Sequence, residues 1–107
     1  MTTISLDTVL ELLAEEHRRR LLVNLLEHNP QDVEDIDLVA GISLADEELA
    51  QFRIQMKHTH LPKLADAGVI DWDREAGVVR KGPEFDELRP LLELLRDNAD
   101  ALPDDWM

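Results

Sequence analysis

Apolar residues first recur at helical spacing. Leu6, Val9, Leu10 and Leu13 gather on one face of a helix, with Ser5 or Asp7 placed to cap it. Leu21, Leu22, Leu25 and Leu26 predict a second helix from about His17 to His28. Asn29-Pro30 ends it, because a proline ring pushes the residue before it out of the helical region. From Gln31 to Leu44 the pattern weakens. Ile36, Val39 and Ala40 fit the inner face of a short helix that Gly41 terminates. Ser43 or Asp46 then caps a longer helix running toward Ala67 and ending at Gly68, with Asp46, Glu47 and Glu48 on its positive end. Within it Leu49, Phe52 and Met56 form one stripe, whereas Leu61, Leu64 and Ala65 point another way. Pro62 would delete a backbone hydrogen bond there and crowd the preceding turn. A helix buried on two sides satisfies this pattern, and so does a kink or break between His58 and Pro62.

Beyond Gly68 the period becomes that of strands. Val69 to Asp73 and Val78 to Lys81 flank Arg74-Glu75-Ala76-Gly77, which reads as a β-hairpin closed by Gly82-Pro83. Phe85, Leu88, Leu92, Leu95, Ala99 and Leu102 then follow at spacings of 3, 4, 3, 4 and 3, a heptad-like seam. Pro90 interrupts this seam and suits two short helices, the second opened by the proline. Pro103 to Met107 reads as a frayed tail. The fold class is mainly α with a small β-hairpin (α+β). The expected arrangement is one compact unit, with residues 1–82 forming helices and hairpin and residues 83–107 a helical extension. Phe85, Leu88, Leu92 and Leu95 in that extension are candidates for homodimerisation.

The segment from Thr59 to Asp73, with HLPKLADAGVIDWD at its centre, resembles winged helix-turn-helix regulators of the ArsR/MarR type. Taken with the preceding LxxLxxEHRRRLLxxLLEH pattern, it is similar to a small winged-helix family of halophilic archaea. The resemblance spans roughly residues 6 to 81. It implies a recognition helix in the major groove, a hairpin wing on the DNA backbone, and terminal helices that dimerise. Regulators of that class carry a more polar and basic recognition segment than one holding Met56 and Pro62. Their cysteine-based metal sensing is not implied, since the chain has no cysteine.

Composition narrows the setting. Hydrophobic residues make up 44% of the 107 positions and charged residues 33%, enough for a core and a solvated surface. No apolar run approaches the roughly 18 residues that span a bilayer. The first residues carry acids where a secretory signal would be basic. A soluble, cytoplasmic protein is expected, with no membrane partner. Twenty-four acids against eleven bases give a formal charge of −13. Disorder would require low hydrophobicity as well. Molar salt, which shortens the screening length to about 3 Å, removes most of the self-repulsion. Only three of the eleven bases are lysine, and the Arg-biased, acid-rich composition fits a halophilic protein.

The placement of acids then directs attention to one segment. Gln51 to Ala65 is fifteen residues without Asp or Glu, and it carries Gln51, Arg53, Gln55, Lys57, His58, Thr59 and Lys63. Gln and Arg can pair with base edges and Lys with phosphate, so double-stranded DNA is the expected partner. A half-buried helix with little room for acids explains the same stretch. Arg74, Arg80 and Lys81 are candidate wing contacts, or else partners of Asp71, Asp73 and Glu75; Trp72 is expected to pack on the helices. Arg18, Arg19 and Arg20 lie in a second acid-free stretch, with salt bridges to Glu15 or Glu16 preferred over phosphate contact. His58 and His60, two apart, fall on different sides of a helix and do not suggest a shared metal. No phosphate-cradling glycine motif, nucleophile elbow or HExxH is present, so neither enzyme activity nor a cofactor is expected. The expected function is a DNA-binding transcriptional regulator; the alternative is a winged-helix module that binds protein and not DNA.

Overall fold

In the computed structural model, residues 4–33 and 46–106 are described. Helix α1 (Leu6–Leu12) begins at Ser5, whose Oγ accepts the Thr8 N–H at 3.2 Å. Helix α2 (Glu16–Glu27) is capped by the Glu15 carboxylate, which accepts the His17 and Arg18 N–H groups at 2.9 and 3.3 Å. Both caps satisfy amides that a helix start leaves without partners. A two-residue strand, β1 (Gln31–Asp32), follows. The short helix expected around Ile36 to Ala40, its stop at Gly41 and the possible cap at Ser43 lie outside the described residues.

The long helix of the centre is unbroken but changes its winding. Helix α3 (Asp46–Gln55) runs into a π-helical turn over Met56–His60 and then into α4 (Leu61–Asp66). In the π turn the Leu61 N–H reaches the Met56 carbonyl, five residues back rather than four. The extra residue resets the phase of the apolar stripe. Phe52, Met56, Leu61 and Leu64 are consequently all buried, and the two stripes of the sequence become one inner face. Pro62 comes at the start of α4, next to the widened turn, where a missing N–H and a bulky ring are tolerated. Gly68, at φ +79°, closes the helix and lets the Val69 N–H bond back to the Leu64 carbonyl at 3.2 Å.

Strands β2 (Ile70–Asp73) and β3 (Val78–Lys81) form the expected hairpin, and β1 joins its far edge. The sheet is antiparallel in the order β1-β3-β2, with Gln31 opposite Val79 and Asp71 opposite Arg80. The chain leaves the sheet at Gly82, where an added Cβ would stand 2.5 Å from the Gly68 carbonyl oxygen. The hairpin exit and the end of α4 are thereby packed backbone against backbone.

Helix α5 (Phe85–Asp97) contains Pro90 in its interior, so the two short helices expected there are one. Pro90 and Asp86 are both exposed, and water can serve the carbonyl that the proline leaves unbonded. Phe85, Leu88 and Leu92 are 1%, 0% and 0% exposed, and Leu95 packs beside them. Phe85, Leu88 and Leu92 therefore do not form an exposed dimer seam, because the chain's own α2 packs against α5; Leu95 lies at the edge, where it lines a surface groove. Nor is the tail frayed as far as Trp106. After a 3₁₀ turn at Ala99–Ala101, a second at Asp104–Trp106 brings Trp106 half-buried onto the core, and its carbonyl accepts from Arg19 Nε. One continuous core joins α1, α2, α3, α4, the sheet and α5. Among the described residues, no helix is long and apolar enough to cross a membrane. The molecule is mostly helical with a small three-stranded antiparallel sheet.

Candidate nucleic-acid interface

The burial of Phe52, Met56 and His60 on the inner face turns their neighbours outward. Gln51, Arg53, Gln55, Lys57, His58 and Thr59 are all exposed. Ile54 stands among them at 56% exposure, an apolar side chain the charge pattern did not single out. Its position on this surface suits a thymine methyl or a protein partner equally.

The π turn also decides what faces the hairpin. Lys57 and His58 line a cleft of about 500 Å³ whose other walls are Val33, Trp72, Arg74 and the hairpin tip from Glu75 to Gly77. The tip is held in shape by the Asp73 side chain and backbone. Asp73 Oδ1 accepts the Glu75 and Ala76 N–H groups at 3.1 and 3.0 Å, and the Gly77 N–H donates to the Asp73 carbonyl at 2.9 Å. The Gly77 carbonyl in turn accepts from Val33 at 2.8 Å, which ties the tip to the third strand. The Arg74 guanidinium lies over the Trp72 ring, 4.4 Å from its centroid, a cation–π contact that orients it at the rim. Trp72 itself is half-buried against the core, as expected. One helix and one hairpin thus bring Lys57, His58 and Arg74 together, with Glu75 as the one acid among the described residues of the cleft lining.

Three of the expected contact residues lie elsewhere. Lys63 reaches across to α1, where its Nζ is 2.6 Å from Glu11 Oε1. That hydrogen bond holds the Glu11 carboxyl below the usual carboxylate range. Arg80 projects from the sheet face opposite Trp72, directly across from Asp71, because strand side chains alternate. Lys81 turns back over the Phe85 ring, with its Nζ 5.3 Å from the centroid.

Behind the π turn is a polar cluster the sequence did not reveal. Arg18 is 8% exposed. Its Nε donates to the Leu12 carbonyl at 2.8 Å and its Nη2 to the Glu11 carbonyl at 3.0 Å, and Nη1 lies 3.2 Å from His60 Nδ1. Arg19 Nη1 takes the next carbonyl of the same helix end, that of Leu13, at 2.8 Å. The two arginines thus serve carbonyls at the C-terminal end of α1, of which that of Glu11 also accepts the Ala14 N–H at 3.2 Å. Arg20 forms the preferred salt bridge, to Glu16 at 2.8 Å. His60 Nε2 faces Glu15 Oε2 at 3.6 Å, and His17 packs edge-on to Phe52. Burial, together with Arg18 and His17, pulls the His60 pKa below its ordinary value despite Glu15. His58 is exposed and His60 buried, so the two do not converge, and among the described residues no three His, Asp or Glu side chains form a metal-binding group.

Fold and cleft together define a small α+β domain that presents a helix and a hairpin tip on one side. The chain belongs to the family described as a domain of unknown function, DUF7344, which matches residues 10–80 and so reaches from α1 to β3. No curated protein and no solved structure matches it.

Proposed function

We propose that the protein is a winged-helix transcriptional regulator that places the α3–π–α4 helix in the major groove of double-stranded DNA and the hairpin on the adjoining backbone. The observation that carries this reading is the cleft in which Lys57, His58 and Arg74 converge on a chain of formal charge −13. A phosphate is the natural occupant of such a cationic recess, while Gln51, Gln55 and Arg53 on the same helix have the chemistry to read base edges. Because phosphate contacts weaken steeply as salt rises, few of them suit a halophilic regulator, which would depend more on base and apolar contacts such as Ile54. The regulator acts as a homodimer in this reading. With the Phe85 seam internal, the surface left for a second copy is the apolar groove of about 370 Å³ where Leu10 of α1 meets Leu91 and Leu95 of α5.

The test is genome-wide occupancy of the tagged protein in its host cell. Discrete peaks that share a motif, and that vanish in the Lys57→Ala/Arg74→Ala variant while its circular dichroism is unchanged, are the expected outcome. A flat profile for the unsubstituted chain refutes DNA binding. The exposed Ile54 favours one rival, a winged-helix module that binds a protein, and specific co-purification lost on Ile54→Asp would support it.

A further inference from the structure

The π turn carries two kinds of residue. Lys57, His58 and Thr59 face solvent, and His60 closes the turn from inside at 7% exposure. His60 Nδ1 lies 3.2 Å from Arg18 Nη1, and an arginine can only donate. The contact is therefore a hydrogen bond when Nδ1 carries a lone pair, and a clash of two N–H groups when the ring is doubly protonated. Arg18 has little freedom to withdraw, since its other nitrogens hold the Leu12 and Glu11 carbonyls. The freer side of the contact is the π turn, whose Lys57, His58 and Thr59 are exposed.

We infer that His60 is a proton-operated latch: its neutral ring holds the π turn against α2 through Arg18, and protonation releases the turn and moves the Lys57–Thr59 segment. The charged and titratable groups around it are known from each neighbouring element. From α2 and its cap come Glu15, His17 and Arg18, and from α1 comes Glu11, already engaged by Lys63 of α4. Glu15 is the one group that favours the protonated ring. Its Oε2, however, is 3.6 Å from Nε2 and already accepts two amides at the start of α2. As regulation of the contact segment, the inference rests on the proposed DNA reading; as a movement within the protein, it does not.

Nuclear magnetic resonance of the intact chain tests it, by following the His60 ring and the amides of residues 56–61 from pH 7.5 to 5. A His58→Gln background removes the exposed imidazole next to them. The expected result is a His60 midpoint below the ordinary value of about 6.5, with the amides of Lys57 and Thr59 shifting at the same midpoint. In His60→Gln, whose side-chain oxygen can still accept from Arg18, those shifts should disappear. A midpoint above about 6.5 would show that Glu15 governs the ring and would overturn the latch. So would titration of His60 with the Lys57 and Thr59 amides unmoved, or the same shifts persisting in His60→Gln. Should that variant not fold, the titration of the parent decides alone. A second arm measures affinity for a bound genomic fragment at pH 7.5 and 5.5. A severalfold change in the parent that is absent in His60→Gln links latch to function. No binding at either pH counts against the DNA reading, while the amide shifts still decide the latch.

Discussion

Replacing Arg18 with methionine tests whether α1 depends on the buried guanidinium. Methionine keeps an unbranched apolar stem of similar reach, so the packing of the arginine's methylenes largely survives and the loss falls on its head group. The guanidinium serves Leu12 and Glu11 carbonyls and the His60 ring. Hydrogen bonds from a charged donor contribute about 1.5–3 kcal/mol each, and a buried carbonyl left without a partner costs about 1–3 kcal/mol. Two effects reduce the sum. The bond to Glu11 is only part-buried, so water can replace the donor there, and a buried cation no longer has to be desolvated. A net destabilisation of about 2–3 kcal/mol remains, equivalent to a fall in Tm of roughly 8–15 °C for a domain of this size. Urea unfolding at neutral pH measures it, with the midpoint lowered and the slope unchanged. A loss under about 0.5 kcal/mol, the range of an ordinary surface substitution, would refute the assignment of Arg18 as the partner of the α1 carbonyls.

Four further outcomes follow from the same structure. Gly82→Ala should destabilise by about 3 kcal/mol, the upper end for overpacking, because its Cβ would press on the backbone of Gly68 and Ile70. Gly77→Asn, at φ +68° with nothing near its Cβ, should lose less than about 1 kcal/mol in the same denaturation assay. The folded-state pKa of His60 is lowered, so the unfolded chain binds more protons at that site. Stability should therefore be level above about pH 6.5 and fall as pH drops below it, by at most about 1.4 kcal/mol per unit, and His60→Gln should flatten that limb. Finally, a formal charge of −13 predicts a Tm that rises as KCl is raised toward 1 M, where the screening length is about 3 Å. Calorimetry showing no rise would mean that self-repulsion does not limit this fold.

The regular elements were legible wherever a period ran long enough to be read. Helices α1 and α2, the cap at Ser5, the stop at Gly68 and the β2–β3 hairpin all have strong local signals, and the structure has each of them. The inner face of α1 and its C-cap, however, is Val9, Leu12 and Leu13, with Leu6 and Leu10 of the expected stripe exposed. β1 has only Gln31 and Asp32, too few residues to show an alternation, and its pairing is decided by β3 across the fold. The conflict between the Met56 and Leu61 stripes was visible, but its resolution by one extra residue per turn is a tertiary outcome: both sets face the same core. Pro90 signals a break only where its lost hydrogen bond is buried, and here it is exposed. Within the candidate site, the acid-free stretch pointed to Lys57 and His58, whereas the alternation of β3 and the reach of Lys63 removed Arg80 and Lys63 from the cleft. Arg18 was hidden by its neighbours, since three arginines in a row read as a solvated surface and only packing shows which one is buried.

The arginines at the end of α1 also bear on how the molecule breathes. Seven residues are too few for a helix to persist alone in water, where nucleation is costly and about 12–15 residues are needed for even marginal helicity. α1 therefore exists as a docked element, its C-terminal carbonyls held by side chains that the next helix supplies. The amides of its last turn are not expected to open one at a time while Arg18 and Arg19 stay in place. Exchange in concert is expected instead, when α1 lifts from α2 as a unit and breaks its Glu11–Lys63 pair beyond the π turn.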